Sequence, residues 1–382
     1  MKIVYISKPS FGDCDFPLIK AMMEQGHEVV VIYLMSRYGM HSTIFDLKEL
    51  KPECKIYKAS DYPEMAGFSN YMPIKNVFMA NDTEGKINFK SFKLSLEIMS
   101  FIRKQKADIV HYVEDISLLQ VFPMWQFRKK LVVTIHDGQP HTGEKNWRCT
   151  FVRNVMKRYV NKFILLNQAE KKVFSDGYGV PMSHIYGSRL GYYDMLHSYG
   201  DSSVQKQNYI LFFGRISPYK GVEYLLKAME RVHEKHPEVN LIIAGKPNYD
   251  IQWQEYRDLD YIEIRDRFIE LDELADLIRG AKFTVCPYTD ATQSGVVYSS
   301  FALNTPVIAT RVGGLPEMID DGETGIIIPP KDDDSLAEAI LSYLDAPEIL
   351  DQHSENIAAS AHDGKGSWKK IAEEYTSIYN KQ

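Results

Sequence analysis

The sequence predicts an α/β chain built from two doubly wound domains, on three observations. The chain has 382 residues, roughly two to three times the usual length of one domain. Short continuous apolar runs alternate with segments of helical period, as in parallel sheets covered by helices on both faces. That alternation stops at a polar stretch, 199–207 (YGDSSVQKQ), and then restarts. The formal charge changes sign at the same place. Residues 1–200 hold 27 Lys and Arg against 20 Asp and Glu, a net +7, and residues 201–382 hold 18 against 31, a net −13. The expected domains are therefore 1–200 and 208–345, followed by a helical segment over 346–382.

The elements follow in order. Residues 2–6 are an apolar strand, 9–12 (PSFG) are turn chemistry, 16–25 have helical spacing before Gly26, and 28–34 (EVVVIYL) form a β-branched and aromatic run. Strand, helix and strand in that order make a right-handed βαβ unit. Further strands are expected at 109–113, 131–135 and 163–166, with helices over 93–104 and 151–161. Past the polar stretch, strands are expected at 209–213, 240–244, 261–264, 283–286, 306–310 and 325–328. Helices are expected at 222–235, 271–280, 296–303 and 335–344, and the last 36 residues read as helical.

Composition excludes several classes. Hydrophobic residues make up 45% and charged residues 25%, which is ordinary globular usage and not that of a disordered or collagen-like chain. Cys14, Cys54, Cys149 and Cys286 lie far apart, with no Cys-x-x-Cys pair. They signal neither a zinc site nor a disulfide framework, and they point to a reducing compartment. The N-terminus reads as a strand rather than a signal peptide, and no window offers 18 consecutive apolar residues. The expectation is a cytoplasmic protein, with peripheral contact at the inner face of a membrane left open.

Three loops carry the chemistry. Residues 213–221 (FGRISPYKG) leave a strand at its carboxyl end, where open α/β sheets place ligands. Glycine permits the turn, Arg215 offers a fork for phosphate oxygens, and Lys220 offers a point charge beside the next helix. Residues 287–298 (PYTDATQSGVVY) again follow a strand and open a helix. Ser294, Gly295 and the first-turn amides there suit an anion. Residues 312–317 (VGGLPE) repeat the logic. One such loop is also explained as a cap and turn; two on neighbouring strand ends point to a nucleotide diphosphate.

The series GRISPYKG, then CPYTDATQSGVVYSSFALNTPVIATRVGGLPEMIDDGETGIIIPP, resembles the donor-binding half of family 4 of the glycosyltransferases, retaining nucleotide-sugar enzymes of the GT-B fold. The first half is similar in outline, through its Gly-containing first loop and the strand ends DIVHYVED and VVTIHD. The resemblance implies two Rossmann-like domains facing a cleft, with a nucleotide-sugar donor on the second and a saccharide or lipid-linked acceptor on the first. It implies that Arg215 and Lys220 neutralise the donor diphosphate, that Gly12 lies beside its phosphates, and that His136 lies near the sugar or the leaving phosphate. A neutral or protonated imidazole can serve there by donating a hydrogen bond. Asp137 follows His136, and His111 looks to the same cleft, with packing as its other reading. The family's Glu-x7-Glu pair is absent: the positions fall on Ala291, with Asp290 beside it, and on Ser299. Asp290 or Gln293 is then expected near the sugar, and the amides of Ser294, Gly295 and Val296 near the phosphates. Base recognition is expected around 267–269, with Phe268 on the donor.

No metal or cofactor is expected. Asp258 and Asp260, and Asp332 to Asp334, read as turn residues, and Asp13 and Asp15 read as caps of a helix beginning at Phe16. The basic first half suits an anionic surface, through 128–130 (Arg128, Lys129, Lys130) and the stretch from Arg148 to Lys162, which reads as an amphipathic basic helix. Its apolar residues have a second reading as sheet-packing contacts. Tyr38, Phe68, Tyr71, Phe78 and Trp125 are aromatic candidates for an acceptor groove. No nucleic-acid reader motif accompanies the cations, so nucleic acid is not an expected partner. Front-face transfer of a sugar in polysaccharide synthesis is the expected activity. A nucleotide-sugar epimerase or phosphorylase of the same fold, and a non-catalytic nucleotide-sugar-binding subunit, are the rivals.

Overall fold

A computed structural model describes residues 1–37, 39–40, 47–83, 87–138, 147–168, 170–249, 253–291 and 294–381. The chain divides into two compact units, Met1–Leu190 with Trp368–Gln382, and Gly191–Ser367.

The strands of unit 1 are β1 (Lys2–Ser7), β2 (Glu28–Ser36), β3 (Ile56–Lys58), β4 (Val77–Asp82), β5 (Ile109–Val113), β6 (Leu131–Ile135), β7 (Phe163–Leu165) and β8 (Ile185–Gly187). They lie in the order β3-β4-β2-β1-β5-β6-β7-β8, parallel except for β3 at one edge. Helices α1 (Gly12–Glu24), α2 (Phe89–Gln105), α3 (Trp147–Met156) and α4 (Glu170–Tyr178) connect them. Strand order reverses between β1 and β5, the switch point beside which such sheets bind ligands. The loops after β1, β5 and β6 all open there.

In unit 2 the strands β9 (Tyr209–Phe213), β10 (Asn240–Ala244), β11 (Ile262–Arg265), β12 (Thr284–Cys286), β13 (Val307–Thr310) and β14 (Gly325–Ile328) make a parallel sheet in the order β11-β10-β9-β12-β13-β14. Its switch point lies between β9 and β12. Helices α5 (Val222–Lys235), α6 (Gln254–Arg257), α7 (Leu271–Gly280), α8 (Gly295–Ala302), α9 (Leu315–Met318), α10 (Asp333–Asp345) and α11 (Pro347–Asp363) belong to this unit, and α12 (Trp368–Asn380) returns to unit 1. Two Rossmann-like α/β units are thus the architecture expected from the sequence.

The borders differ from the sequence reading. The polar stretch 199–207, expected to separate the domains, belongs to unit 2. Asp272 and Asp276 of α7 accept the Gly200 and Asp201 amides at 2.8 and 2.6 Å, and the Gln207 amide donates to the Gly280 carbonyl at 2.7 Å. Its backbone amides, not its polar side chains, find acceptors on α7, which composition alone does not reveal. The segment 346–382 is likewise two helices in two units. In α12, Trp368, Ile371, Tyr375 and Ile378 form a buried stripe, and Gln25 beyond α1 donates to the Lys369 carbonyl at 2.8 Å. The helix expected over 151–161 ends at Met156, and β3, β4 and β8 were not expected.

Helix α1 also begins earlier than expected, at Gly12, with Phe11 at its N-cap and no side-chain cap. Asp13 and Asp15 therefore sit within the first turn and neither is the N-cap, although Asp13 accepts the Cys14 amide at 3.0 Å. Asp15 is 2% exposed and accepts from the Tyr5 hydroxyl at 2.7 Å. Burial outweighs its hydrogen bonds and pushes its pKa up to about 8. The native carboxyl keeps its proton to about pH 8, whereas the unfolded one ionises above about pH 4, so ionisation lowers stability as pH rises between them. Asp15→Asn keeps the acceptor and removes the titration. Its melting temperature should exceed that of the parent at pH 8, by a few degrees or about 1 kcal/mol, and the gap should close at pH 5. An equal shift at both pH values would show the native carboxyl to be ionised already.

Candidate active site

In unit 2 the loops after β9 and β12 lie together. Gly214 has φ 101° and Gly221 φ 65°, a region that favours glycine. A Cβ at Gly221 would collide with the Pro287 carbonyl, so the loops approach backbone to backbone. The Thr289 amide donates to the Tyr219 carbonyl at 2.7 Å and ties them. Lys220 is 8% exposed. Its Nζ donates to the Tyr288 hydroxyl at 2.5 Å and lies 3.9 Å from the centre of that ring. The Tyr288 hydroxyl is 3.2 Å from the Ser294 Oγ, at the N-cap of α8. Burial lowers the Lys220 pKa to about 8, so the ammonium is held ready for an anion that would raise it again. Arg215 is exposed on the same loop. Cationic groups, a hydroxyl relay and a helix N-terminus at the switch point make an oxyanion-binding arrangement.

The other expected residues of this unit fall as follows. Gly295 and Val296 open α8, and Ser299 is buried in it. Asp290 is exposed before that helix, and Gln293 lies outside the described residues. Phe268 is exposed beside Arg267, which Glu273 holds at 2.6 and 2.8 Å. Tyr288 was not singled out from the sequence; a tyrosine two residues past a buried strand is its only signal.

In unit 1, β6 delivers His136, partly exposed, and the ring of Phe11 stacks on it with centroids 4.1 Å apart. Burial pushes the His136 pKa down to about 4, with Asp137 opposing and Lys8 assisting. The ring is therefore neutral at pH 7 and has one N–H to donate. Gly12 lies next to Phe11 at the start of α1 with an ordinary helical φ of −58°.

The loop carrying His136 is held from below by Arg153. This side chain is 3% exposed. Its Nε donates to Asp115 at 2.8 Å and its Nη2 to Glu114 at 3.2 Å and to the Asp137 carbonyl at 3.0 Å. Its Nη1 donates to the Gly138 carbonyl at 2.9 Å and to the Tyr178 hydroxyl at 3.3 Å. Glu114 closes the circuit by accepting the His136 amide at 3.0 Å, and Glu170 accepts the Gly138 amide at 2.6 Å. Burial, with the neighbouring Asp115, raises the Glu114 pKa to about 7. Glu114 also has φ 66°, a strained setting for a residue with a Cβ.

Two expectations are corrected here. His111 is fully buried, with Nδ1 2.6 Å from the Tyr379 hydroxyl and Nε2 2.7 Å from Thr134 Oγ1. Burial drives its pKa to about 3. It is a packing residue that binds α12 to the sheet, because β5 is a central strand and α12 covers that face. The stretch from Arg148 to Lys162 is not one basic helix facing outward. Arg153 points into the fold, Lys157 donates to the Tyr178 carbonyl at 2.7 Å and Lys162 to the Tyr379 carbonyl at 2.9 Å. Within 128–130, Lys130 donates to the Ala107 carbonyl at 2.8 Å and Arg128 lies 3.9 Å over the Trp125 ring.

Comparison with known proteins agrees with this division. Residues 207–346 match the family model "Glycosyl transferases group 1". D-inositol 3-phosphate glycosyltransferase of Corynebacterium glutamicum is 32% identical over 180 residues, which are 45% of this chain and 43% of that protein. Alpha-D-kanosaminyltransferase of Streptomyces kanamyceticus is 27% identical over 179 residues, 44% and 45% of the two chains. The chain thus spans less than half the length of these curated relatives. Among solved structures, Anabaena HepE in complex with UDP aligns over 99% of both chains with a TM-score of 0.67 and 15% identity. Sucrose-phosphate synthase from Thermosynechococcus elongatus aligns over 99% and 98% of the chains, with a TM-score of 0.67 and 18% identity. Residues 207–346 are therefore similar to glycosyl transferases group 1, and the whole chain has the GT-B fold.

Proposed function

We propose that the chain is a glycosyltransferase that moves a sugar from a nucleotide diphosphate donor to a saccharide or lipid-linked acceptor. The observation that carries this reading is the buried Lys220–Tyr288–Ser294 relay beside Arg215, on crossed loops of the region similar to glycosyl transferases group 1. Those groups neutralise the leaving diphosphate, and in unit 1 a neutral His136 offers one N–H as a hydrogen-bond donor. Retention by front-face displacement, without a metal, is part of the proposal, since charge on the diphosphate is met by side chains and amides. So are a role in polysaccharide synthesis and work at the inner face of a membrane. No helix among the described residues is long and apolar enough to cross one.

A second reading, donor binding without transfer, rests on Ala291 and Ser299, uncharged and buried where the related family has two glutamates. One set of measurements separates the two. UDP-glucose is the first donor to test, because HepE has been seen with UDP and with UDP-glucose. In a thermal-shift panel of nucleoside diphosphate sugars, the true donor at 100 times its Kd should stabilise the protein by about 2.7 kcal/mol. Nucleoside diphosphate release should then rise on adding acceptor and persist in EDTA. Binding with no release across an acceptor panel would select the second reading, and no binding by any donor would overturn both.

A further inference from the structure

Unit 1 contains a cavity of about 630 Å³ that the donor chemistry does not use. Its wall is mainly apolar, with Leu34, Ala80, Leu94, Ile98, Ile116 and Leu119 contributing. Size and lining are those of a small-molecule site. It opens at the carboxyl ends of β2 and β4 and against the loop after β5, the ligand-binding end of the sheet. Two polar wall residues connect it to the His136 loop. Lys8 adds to the burial that keeps His136 neutral, and Asp115 accepts the Arg153 Nε. Arg148, Asp82 and Cys149 are also on the wall.

The elements that build this wall also carry apolar side chains outward. Ile87, on the wall itself, is 64% exposed, Phe89 is 81% exposed, and Trp147, next to Arg148, is 69% exposed. Along α2, Phe89, Phe92 and Leu96 face solvent while Leu94, Ile98 and Ile102 are buried. The helix thus has a second apolar face, flanked by the exposed Lys90 and Lys93. An apolar cavity among exposed aromatics and cations suits a molecule with a hydrocarbon part and a negative head.

We infer that this cavity holds the aliphatic chain of an amphiphilic acceptor whose head group is anionic, so the acceptor class is a lipid-linked one and not a free sugar. The chain lies along Leu94, Ile98 and Leu119, and Lys8 or Arg148 meets the head group. This rests on the glycosyltransferase reading for the word acceptor, but the binding itself does not.

The probe is dodecyl phosphate below its micelle concentration, titrated calorimetrically into the full chain, with butyl phosphate and inorganic phosphate as controls. Dodecyl phosphate should bind at least tenfold more tightly than butyl phosphate. Ile87→Glu with Leu118→Glu, both at wall positions with solvent access, should weaken it at least tenfold, whereas Val173→Ser, at an exposed apolar position on α4, should not. Occupancy should slow alkylation of Cys149 and leave that of Cys54 unchanged, read peptide by peptide. Equal binding of dodecyl and inorganic phosphate, or equal loss in the wall and control variants, overturns the inference. Donor binding in the thermal-shift panel is scored separately. If dodecyl phosphate binds and no donor does, the cavity stands and its role in transfer falls. If a donor binds and dodecyl phosphate does not, only the lipid-linked class is lost.

Discussion

Lys220→Met should lower turnover by about 10²-fold, the size expected when one preorganised stabiliser of developing negative charge is removed. Methionine keeps the stem and removes the ammonium that Tyr288 holds at 2.5 Å. Lys220→Arg should recover part of the loss, since charge returns while the fit under Tyr288 does not. The pH profile gives a sharper measurement. In the unliganded protein burial lowers the Lys220 pKa to about 8, and kcat/KM for the donor reports the free protein. That quantity should therefore fall as pH rises above about 8, and the fall should disappear in Lys220→Arg, whose guanidinium stays charged. The stability sign is opposite. A buried lysine with a lowered pKa disfavours the fold while it is charged, and the penalty fades as pH rises from about 8 towards the unfolded value near 10.4. Loss of the ammonium at pH 7 should therefore leave unit 2 no less stable, apart from about 1 kcal/mol for the lost hydrogen bond. A parent-like rate in Lys220→Met would remove this loop from the reaction, and a collapsed melting temperature would show that its role is structural.

The parts of the fold that could be read from sequence were those with local signals. Runs such as 209–213 and 241–244 are buried on both faces of a parallel sheet, so they are continuous in apolar character and their ends are sharp. Strand β3 is three residues at an edge and β8 three residues beyond α4, and neither has a run long enough to notice. The charge split was legible, and the true border sharpens it. Moving 191–200 to unit 2 and 368–382 to unit 1 makes the units +9 and −15. What stayed hidden was the identity of long-range partners. Period alone shows that α12 has an apolar stripe, but not that His27 and His111 await Thr376 and Tyr379. The candidate site divides in the same way. Arg215 and Lys220 announce themselves by position after a strand. Tyr288 and Glu114 become informative only when the sheet brings them beside Lys220 and the His136 loop.

Arg153 is the strongest case, because its sequence context pointed outward. A basic stretch with interleaved apolar residues reads as an attachment surface, yet the guanidinium makes five hydrogen bonds inside unit 1, two of them to the carbonyls of Asp137 and Gly138. Burial opposes its charge, and Asp115 and Glu114 more than offset that opposition. Arg153→Met would leave two carboxylates without their cation and two carbonyls without donors. Removing one partner from a buried pair typically costs about 3–5 kcal/mol, and release of the loop should lower kcat by about 10²-fold through misplacement of His136. Since the donor loops belong to the other unit, the donor KM should change less than twofold. Arg153→Lys can satisfy only part of the fork and should fall between. Adding Glu114→Gln to Arg153→Met removes one orphaned charge, so it should recover stability without recovering kcat. That split separates positioning from folding: if kcat returns together with the melting temperature, Arg153 supports the fold alone, and if it does not, the guanidinium sets where the imidazole stands.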